Sequence, residues 1–329
     1  MRTTNAVRDN TVHLESDPQI TRLETPLLRV GHENRAADAV GWGTDCVTGP
    51  RPTVAFSLLP IRVTFAGQSP VVLAPTTLAT PSGDQVYQRT PLSERGQRTV
   101  FLTFKDDTLA RLVAAHDPAA IDRPGQPVAF KDSPADPAAT ATACALVRAA
   151  ITDRTLAEAV QIEDAAVAIV SRAIEVSHAA HGVRPVHGVR PAQTKLSPRS
   201  HRLQRDAVNA VCAYIHTHLG ESLSLDQLSD IAELSPGYLS RIFASHTGRS
   251  LSKYLIAARV LHALARLPDY RRRLTALARI SGFASHAHMT STFTASLGRP
   301  PTSLQDDEIG DLILHPRHPL ADSRSTGSM

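Results

Sequence analysis

Apolar residues are spaced in two different ways along the chain. Between residues 53 and 104 they come in short runs, TVAFSLL, IRVTFAG, PVVLAP, TTLATPSG and RTVFLTF, punctuated by Pro, Gly and polar turns. Short runs of β-branched and aromatic residues at this spacing predict about five strands of a small antiparallel barrel or sandwich. Upstream, residues 1–50 are polar and irregular, with only weak structure signals. Downstream, 117–137 are rich in Pro, Asp and Gly and predict a loop. The spacing then turns helical over about 138–151 and 154–180. In the second of these helices Ile162, Ala166, Ile169, Ala173 and Val176 step by four and three, forming one apolar stripe. That stripe is either a seam between two copies of the chain or a face packed on the sheet.

From 203 to 304 the pattern is almost wholly helical. In LDQLSDIAELSPGYLSRIFASHTGRS, residues 225–250, Leu225, Leu228 and Ile231–Ala232 predict a short amphipathic helix. Leu234 covers a turn, and Ser235–Pro236 is a helix start: a hydroxyl to accept an orphan N–H, then Pro at the first helical position. Leu239, Ile242 and Phe243 face inward, which leaves Gly237, Ser240 and Arg241 outward. The small residues Ser229 and Ala232 let the two helices approach closely, the build of a helix-turn-helix.

The pattern recurs about fifty residues on, in ARISGFASHAHMTSTFTASLGRPP, residues 278–301. Leu274, Leu277 and Ala278 make a first helix, Gly282–Phe283 a turn, and Ser285 a cap. Met289 and Phe293 point inward, leaving His286, Ala287, Thr290 and Ser291 outward. His286 and His288 are two apart, so on a helix they diverge by about 200°, whereas a helical metal pair needs a spacing of three or four. Between the motifs SKYLIAARVLHALARL, residues 252–267, predicts an uninterrupted helix ended by Pro268. Such a rod spans roughly 24 Å and could set two recognition helices about one DNA turn, roughly 34 Å, apart.

Charge sharpens this picture. The net +4 conceals an excess of three acidic charges over 1–181, five basic charges over 182–202, five more over 203–304, and three acidic charges in the tail. One contiguous basic region suggests a polyanionic partner. Arg271, Arg272 and Arg273, just before the second motif, either meet phosphates or form a solvated loop, and the basic neighbourhood favours phosphate contact. Residues 182–202, GVRPVHGVRPAQTKLSPRSHR, read as a basic Pro-rich linker holding a small duplication, HGVRP. The three cysteines, Cys46, Cys144 and Cys212, are too scattered for a zinc knuckle or a disulfide frame. No run of eighteen apolar residues and no apolar signal core is present, so a cytoplasmic, non-membrane protein is expected.

On these marks the segment 205–304 resembles the double helix-turn-helix domain of the AraC/XylS transcription regulators. The similarity rests on LSPGYLSRIF, on HTGRSLSKYLIAARV with Arg259, Ala263 and Leu267 in the linking helix, and on ALARISGFASHAHMTSTF…LGRPP. It implies base-reading positions at Gly237, Ser240 and Arg241 and at His286, Ala287, Thr290 and Ser291. Phosphate contacts are expected from Ser235, Arg249, Arg271, Arg272, Arg273, Ser285 and Arg299. Departures occur at Glu233, a turn position usually small, and at Met289, Ser291, Thr294, Pro300 and Gln305, so the second helix is expected to hold backbone more weakly. The N-terminal half is similar to the sensors of such regulators, with pocket walls from FSLLP, VTFAG and VYQRT.

The expected fold class is therefore α+β. A cupin-like β-barrel with dimerisation helices spans 1–181, a linker 182–202, an all-α double helix-turn-helix domain 203–305, and a disordered tail 306–329. The expected function is sequence-specific binding of double-stranded promoter DNA, as an activator and homodimer working with RNA polymerase and answering a small-molecule effector, without cofactor, metal or catalysis. The alternative is a cupin-type metal enzyme carrying a regulatory DNA-binding module. It lacks the His pair with downstream Glu and His that such a site needs between 50 and 115. A third reading is a DNA-binding protein with a vestigial sensor.

Overall fold

The computed structural model describes residues 20–128, 132–151, 156–180 and 197–304. Ten strands come first: β1 (Ile20–Glu24), β2 (Leu28–Arg35), β3 (Cys46–Val47), β4 (Thr53–Ser57), β5 (Ile61–Phe65), β6 (Val71–Leu73), β7 (Thr77–Ala79), β8 (Val86–Pro91), β9 (Gln97–Phe104) and β10 (Asp132–Pro134). Helix α1 (Thr108–Ala114) separates β9 from β10, and α2 (Pro137–Ile151) and α3 (Leu156–Ala180) follow. The C-terminal part is helical: α4 (Pro198–Thr217), α5 (Leu225–Ala232), α6 (Pro236–Thr247), α7 (Leu251–Tyr270), α8 (Leu274–Ile280) and α9 (His286–Leu297).

The strands form two antiparallel sheets, one ordered β1-β2-β9-β4-β7-β10 and the other β3-β8-β5-β6. No strand pairs across them among the described residues, so the expected cupin-like barrel is not formed; the sheet is open. Strand β6 is an edge, paired only with β5, and the chain crosses to the other sheet through the turn at 74–76 instead of continuing the ladder.

Strands β1 and β2 lie where the sequence predicts only irregular chain. The reason is visible in β2: its buried positions are Leu28, Val30, Gly31 and Glu33, so charge and glycine interrupt the apolar alternation. Gly31 sits opposite Phe101 of β9, and a Cβ there would lie 2.1 Å from the ring. The glycine makes room for the aromatic, which covers the bare backbone.

The stripe on α3 is occupied within this chain. Ile162, Ala166, Ile169 and Ala173 are buried, and the helix packs against α2 and β10 in the main core. Of the two alternatives, packing within the chain is the one observed. Helix α4 begins at Pro198, inside the expected linker, with Ser197 as N-cap accepting from the Ser200 N–H at 3.1 Å. Residues 181–196, with the HGVRP duplication, and 305–329, with the expected tail, lie outside the described residues. Helix α7 runs through Pro268 to Tyr270, three residues beyond the predicted end at 267.

The helical part is docked on the sheets. Arg205 of α4 pairs with Asp132 of β10 at 3.1 Å, Asn209 of α4 bonds the backbone at Pro70 and Val72, and α2 packs on α7 and α9. The three cysteines are reduced and buried, and burial pushes the Cys144 and Cys212 thiols up to about 12.

Candidate nucleic-acid interface

Helices α5 and α6 form the first helix-turn-helix unit. Helix α5 opens with a capping box, Ser224 accepting from the Gln227 N–H while the Gln227 side chain accepts from the Ser224 N–H. It ends at Glu233, whose φ of 53° and ψ of 40° are left-handed, and the Leu234 N–H then reaches back to the Ser229 carbonyl at 3.0 Å. Leu239, Ile242 and Phe243 of α6 are buried as predicted. The left-handed conformation costs a side-chain-bearing residue about 1–2 kcal/mol, so Glu233→Gly is expected to stabilise the chain by about 1 kcal/mol in urea unfolding. No gain would mean that the Glu233 side chain supplies a compensating contact.

Helices α8 and α9 repeat the arrangement with a longer turn. The left-handed residue is Gly282, φ 76°, and the Phe283 N–H reaches back to the Ala278 carbonyl at 2.9 Å. The N-cap follows three residues after the glycine, at Ser285, whereas Ser235 follows Glu233 by two. Ser285 caps α9 through its hydroxyl, which accepts from the His288 N–H at 3.1 Å. Ser235 makes no side-chain cap bond, contrary to expectation; Pro236 at the first helical position starts α6 with a fixed φ instead. The His288 ring stands edge-on to Phe283 at 5.6 Å, which makes it a turn-packing residue.

The outward positions fall where the sequence puts them. On α6, Gly237 and Arg241 are exposed and Ser240 half-buried. The Arg241 guanidinium lies 5.0 Å over the Tyr238 ring, and the Tyr238 hydroxyl accepts from Gln204 of α4 at 2.8 Å. Neither Tyr238 nor Gln204 is apparent from the sequence as a functional residue, although a Tyr three positions before an Arg on one helix face is the signal. On α9, Ala287 and Ser291 are exposed, while His286 and Thr290 are half-buried one turn apart. The His286 Nε2 and Thr290 Oγ1 atoms make no hydrogen bond among the described residues.

Around the start of α9 the surface is concave. An open groove of about 790 Å³ is lined by Arg271, Arg272, Arg273, Arg279, Ser285 and His286. It unites four predicted phosphate residues with one predicted base reader and adds Arg279, which no sequence signal marks. Arg299 is exposed just beyond the C-terminus of α9. Arg249 is different: it is half-buried, and burial lowers its pKa, opposed by Asp136 and Tyr254 nearby. Its guanidinium belongs to the seam with the sheets.

The two units are fastened to each other. Arg259, on the shared helix α7, donates to the Leu219 and Glu221 carbonyls at 3.3 and 2.8 Å. The loop they belong to lies directly on the turn of the second unit. A Cβ on Gly282 would stand 2.0 Å from the Leu219 oxygen, and one on Gly220 would stand 2.9 Å from the Ile280 oxygen. His262 meets the fully buried Ser281 at 3.1 Å, and burial first, then Arg266, His216 and Arg95, push its pKa down to about 3.

A depressed histidine stabilises the fold above its unfolded pKa of about 6.5 and loses that contribution as pH falls toward its folded value. Stability should therefore decline from about pH 6.5 toward 4, by at most about 1.4 kcal/mol per pH unit for this one group. His262→Gln should flatten that decline; an unchanged slope would assign the decline to other groups.

A second candidate site lies between the sheets, a cavity of about 370 Å³ walled by Ile61, Val63, Phe65, Leu73, Ala79 and Phe101. At its polar end Arg89 donates to Glu33 at 2.6 Å and to Gln97 at 3.0 Å, and Gln97 donates to Glu33 and Thr99. The runs FSLLP, VTFAG and VYQRT all contribute lining residues, among them Ser57, Val63, Phe65, Tyr87 and Arg89. Among the described residues no three His, Cys, Asp or Glu are grouped to hold a metal ion, and no helix is long and apolar enough to cross a membrane.

Two short-helix pairs, each with an inward apolar seam and an outward face, joined by one shared helix, define a tandem helix-turn-helix unit. Residues 228–307 match the family model described as a helix-turn-helix domain. Among known proteins, the HTH-type transcriptional regulator YobQ of Bacillus subtilis strain 168 is 36% identical over 92 residues, which cover 28% of this chain and 38% of that protein. The HTH-type transcriptional regulator SAR0107 of Staphylococcus aureus strain MRSA252 is 34% identical over 105 residues, covering 32% of this chain and 14% of that one. The chain thus spans well under half the length of either. A solved structure of the DNA-binding domain of AdpA, a global transcriptional factor, in complex with a target DNA is 29% identical with a TM-score of 0.28, covering 29% of this chain and 86% of that one. The C-terminal part of the chain contains a helix-turn-helix domain.

Proposed function

We propose that the protein is a sequence-specific transcription regulator of the AraC/XylS kind, whose helical unit binds double-stranded promoter DNA at two successive major grooves. The observation that carries this reading is the placement of two exposed recognition faces on one fastened helical body, with an arginine groove beside the second. Gly237, Ser240 and Arg241 read bases from α6; His286, Ala287, Thr290 and Ser291 read them from α9. Ser235, Ser285, Arg271, Arg272, Arg273 and Arg299 hold phosphates, while Arg249 serves the seam. The orphaned His286 Nε2 and Thr290 Oγ1 atoms favour a polar partner on α9.

In this reading the cavity between the sheets receives a small, mostly apolar effector with a polar end matched to the Arg89–Glu33–Gln97 cluster. The protein acts as an activator with RNA polymerase and as a homodimer, through a face other than the α3 stripe. The test is capture of fragmented genomic DNA by the full chain at several salt concentrations, followed by sequencing. A recurring site with two elements about one helical turn apart is expected. Binding that is salt-sensitive and blind to sequence would overturn the reading.

Arg241→Ala should cost about 1–3 kcal/mol at one base position, because an arginine held over Tyr238 is pre-aimed for a bidentate contact to guanine. Equal loss on every sequence would make Arg241 a phosphate contact.

A further inference from the structure

The cavity and the first recognition helix meet at one strand. Side chains of a strand alternate between its two faces, and β6 divides its alternation between two cores. Val71 and Leu73 belong to the cluster between the sheets with Ile61, Val63, Phe65 and Ala79, and Leu73 lines the cavity. Val72 and Ala74 instead belong to the core of the first helix-turn-helix unit, with Val208, Ile215, Leu239 and Phe243.

The backbone of β6 is held from the same side. Its partner β5 covers one edge, and on the other Asn209 of α4 takes the place of a neighbouring strand. The Asn209 Nδ2 donates to the Pro70 carbonyl at 2.7 Å and its Oδ1 accepts from the Val72 N–H at 3.2 Å. Helix α4 also carries Gln204, which donates to the Tyr238 hydroxyl beneath Arg241.

We propose that β6 is the coupling strand of this protein: occupancy of the cavity displaces Leu73, and β6 passes the displacement through Val72 and Asn209 to α4 and so to the Tyr238–Arg241 pair. This rests on the reading of the cavity as the effector site, and it assigns Asn209 as a positioning residue. Close packing favours such transfer, because a filled interior shifts its walls instead of compressing them.

The test needs no identified effector. Ala79→Leu, which fills the cavity from β7, stands in for an occupant, and Ala55→Val on β4 replaces it if that chain does not fold. Amide hydrogen exchange of α4 and α6 is measured in the full chain, with and without Asn209→Ala. We expect the filling substitution to change exchange there by about fivefold or more with Asn209 present. Less than about twofold change is expected once Asn209 is replaced. Equal changes in both backgrounds, or none in α4 and α6, overturn the proposal. Because the readout is taken without DNA, a chain that shows the coupling but prefers no DNA sequence would sink the regulator reading and leave the coupling standing.

Discussion

Gly282→Ala is expected to cost about 2–5 kcal/mol of stability. Two penalties coincide at this turn. A φ of 76° is left-handed, which charges any side-chain-bearing residue about 1–2 kcal/mol. The new methyl would also stand 2.0 Å from the Leu219 carbonyl oxygen and 2.5 Å from the Arg259 Nε, and backbone cannot swing aside as a flexible side chain can. Overpacking of this kind adds about 1–3 kcal/mol. Gly298 supplies the control, since its φ is 75° but among the described residues nothing beyond its own chain neighbours lies within 4 Å of a Cβ there. Gly298→Ala should lose only the conformational part, about 1 kcal/mol. Urea unfolding followed by circular dichroism compares the two. Equal losses would show that the loop at 219–221 yields and that the two units are not fastened.

Replacing Glu33 by Ala should be at least as damaging, by about 3–5 kcal/mol, because it strands a charge. The Arg89 side chain is only 3% exposed, so water cannot replace the carboxylate. Removing these two charges together, as Glu33→Leu with Arg89→Met, should recover the part of the loss that comes from Arg89, while Arg35, 3.6 Å from Glu33, still loses its carboxylate. The single tryptophan, Trp42, reports on the event directly: its ring lies 6.0 Å from the Arg89 guanidinium, so its emission should shift in Glu33→Ala. If the single replacement cost no more than an exposed ion pair, about 1 kcal/mol or less, the pair would have to be reached by water.

The helical half was legible because its signals are local. Ser–Pro and Ser285 mark helix starts, Leu239, Ile242, Phe243, Met289 and Phe293 mark buried faces, and each is read within one or two turns of chain. The start of α4 carries the same Leu–Ser–Pro signal at 196–198 as α6 does at 234–236, but the Pro- and Arg-rich surroundings hide it. Strand β2 was hidden for another reason: the cavity it borders demands Glu33 and Gly31 on the buried face, so the apolar alternation breaks where the site begins. Barrel closure was beyond the sequence, because it depends on which distant edges pair. The seam was beyond it too, since nothing local in VVLA shows that alternate residues enter different cores.

The fastening of the two units by Arg259 and the Gly282 turn has a consequence for the promoters this chain would read. A pair of heads joined by a flexible hinge could follow a shifted element. This pair behaves as a caliper set to one opening. Each base pair inserted between the elements moves the second by about 3.4 Å and turns it by about 34° around the duplex. With the units fastened at Arg259 and Gly282, the DNA would have to bend or twist to bring the second element back, at a cost of order 1–6 kcal/mol that depends on the stiffness of the intervening steps. Discrimination among promoters would then reside partly in base pairs that no side chain touches.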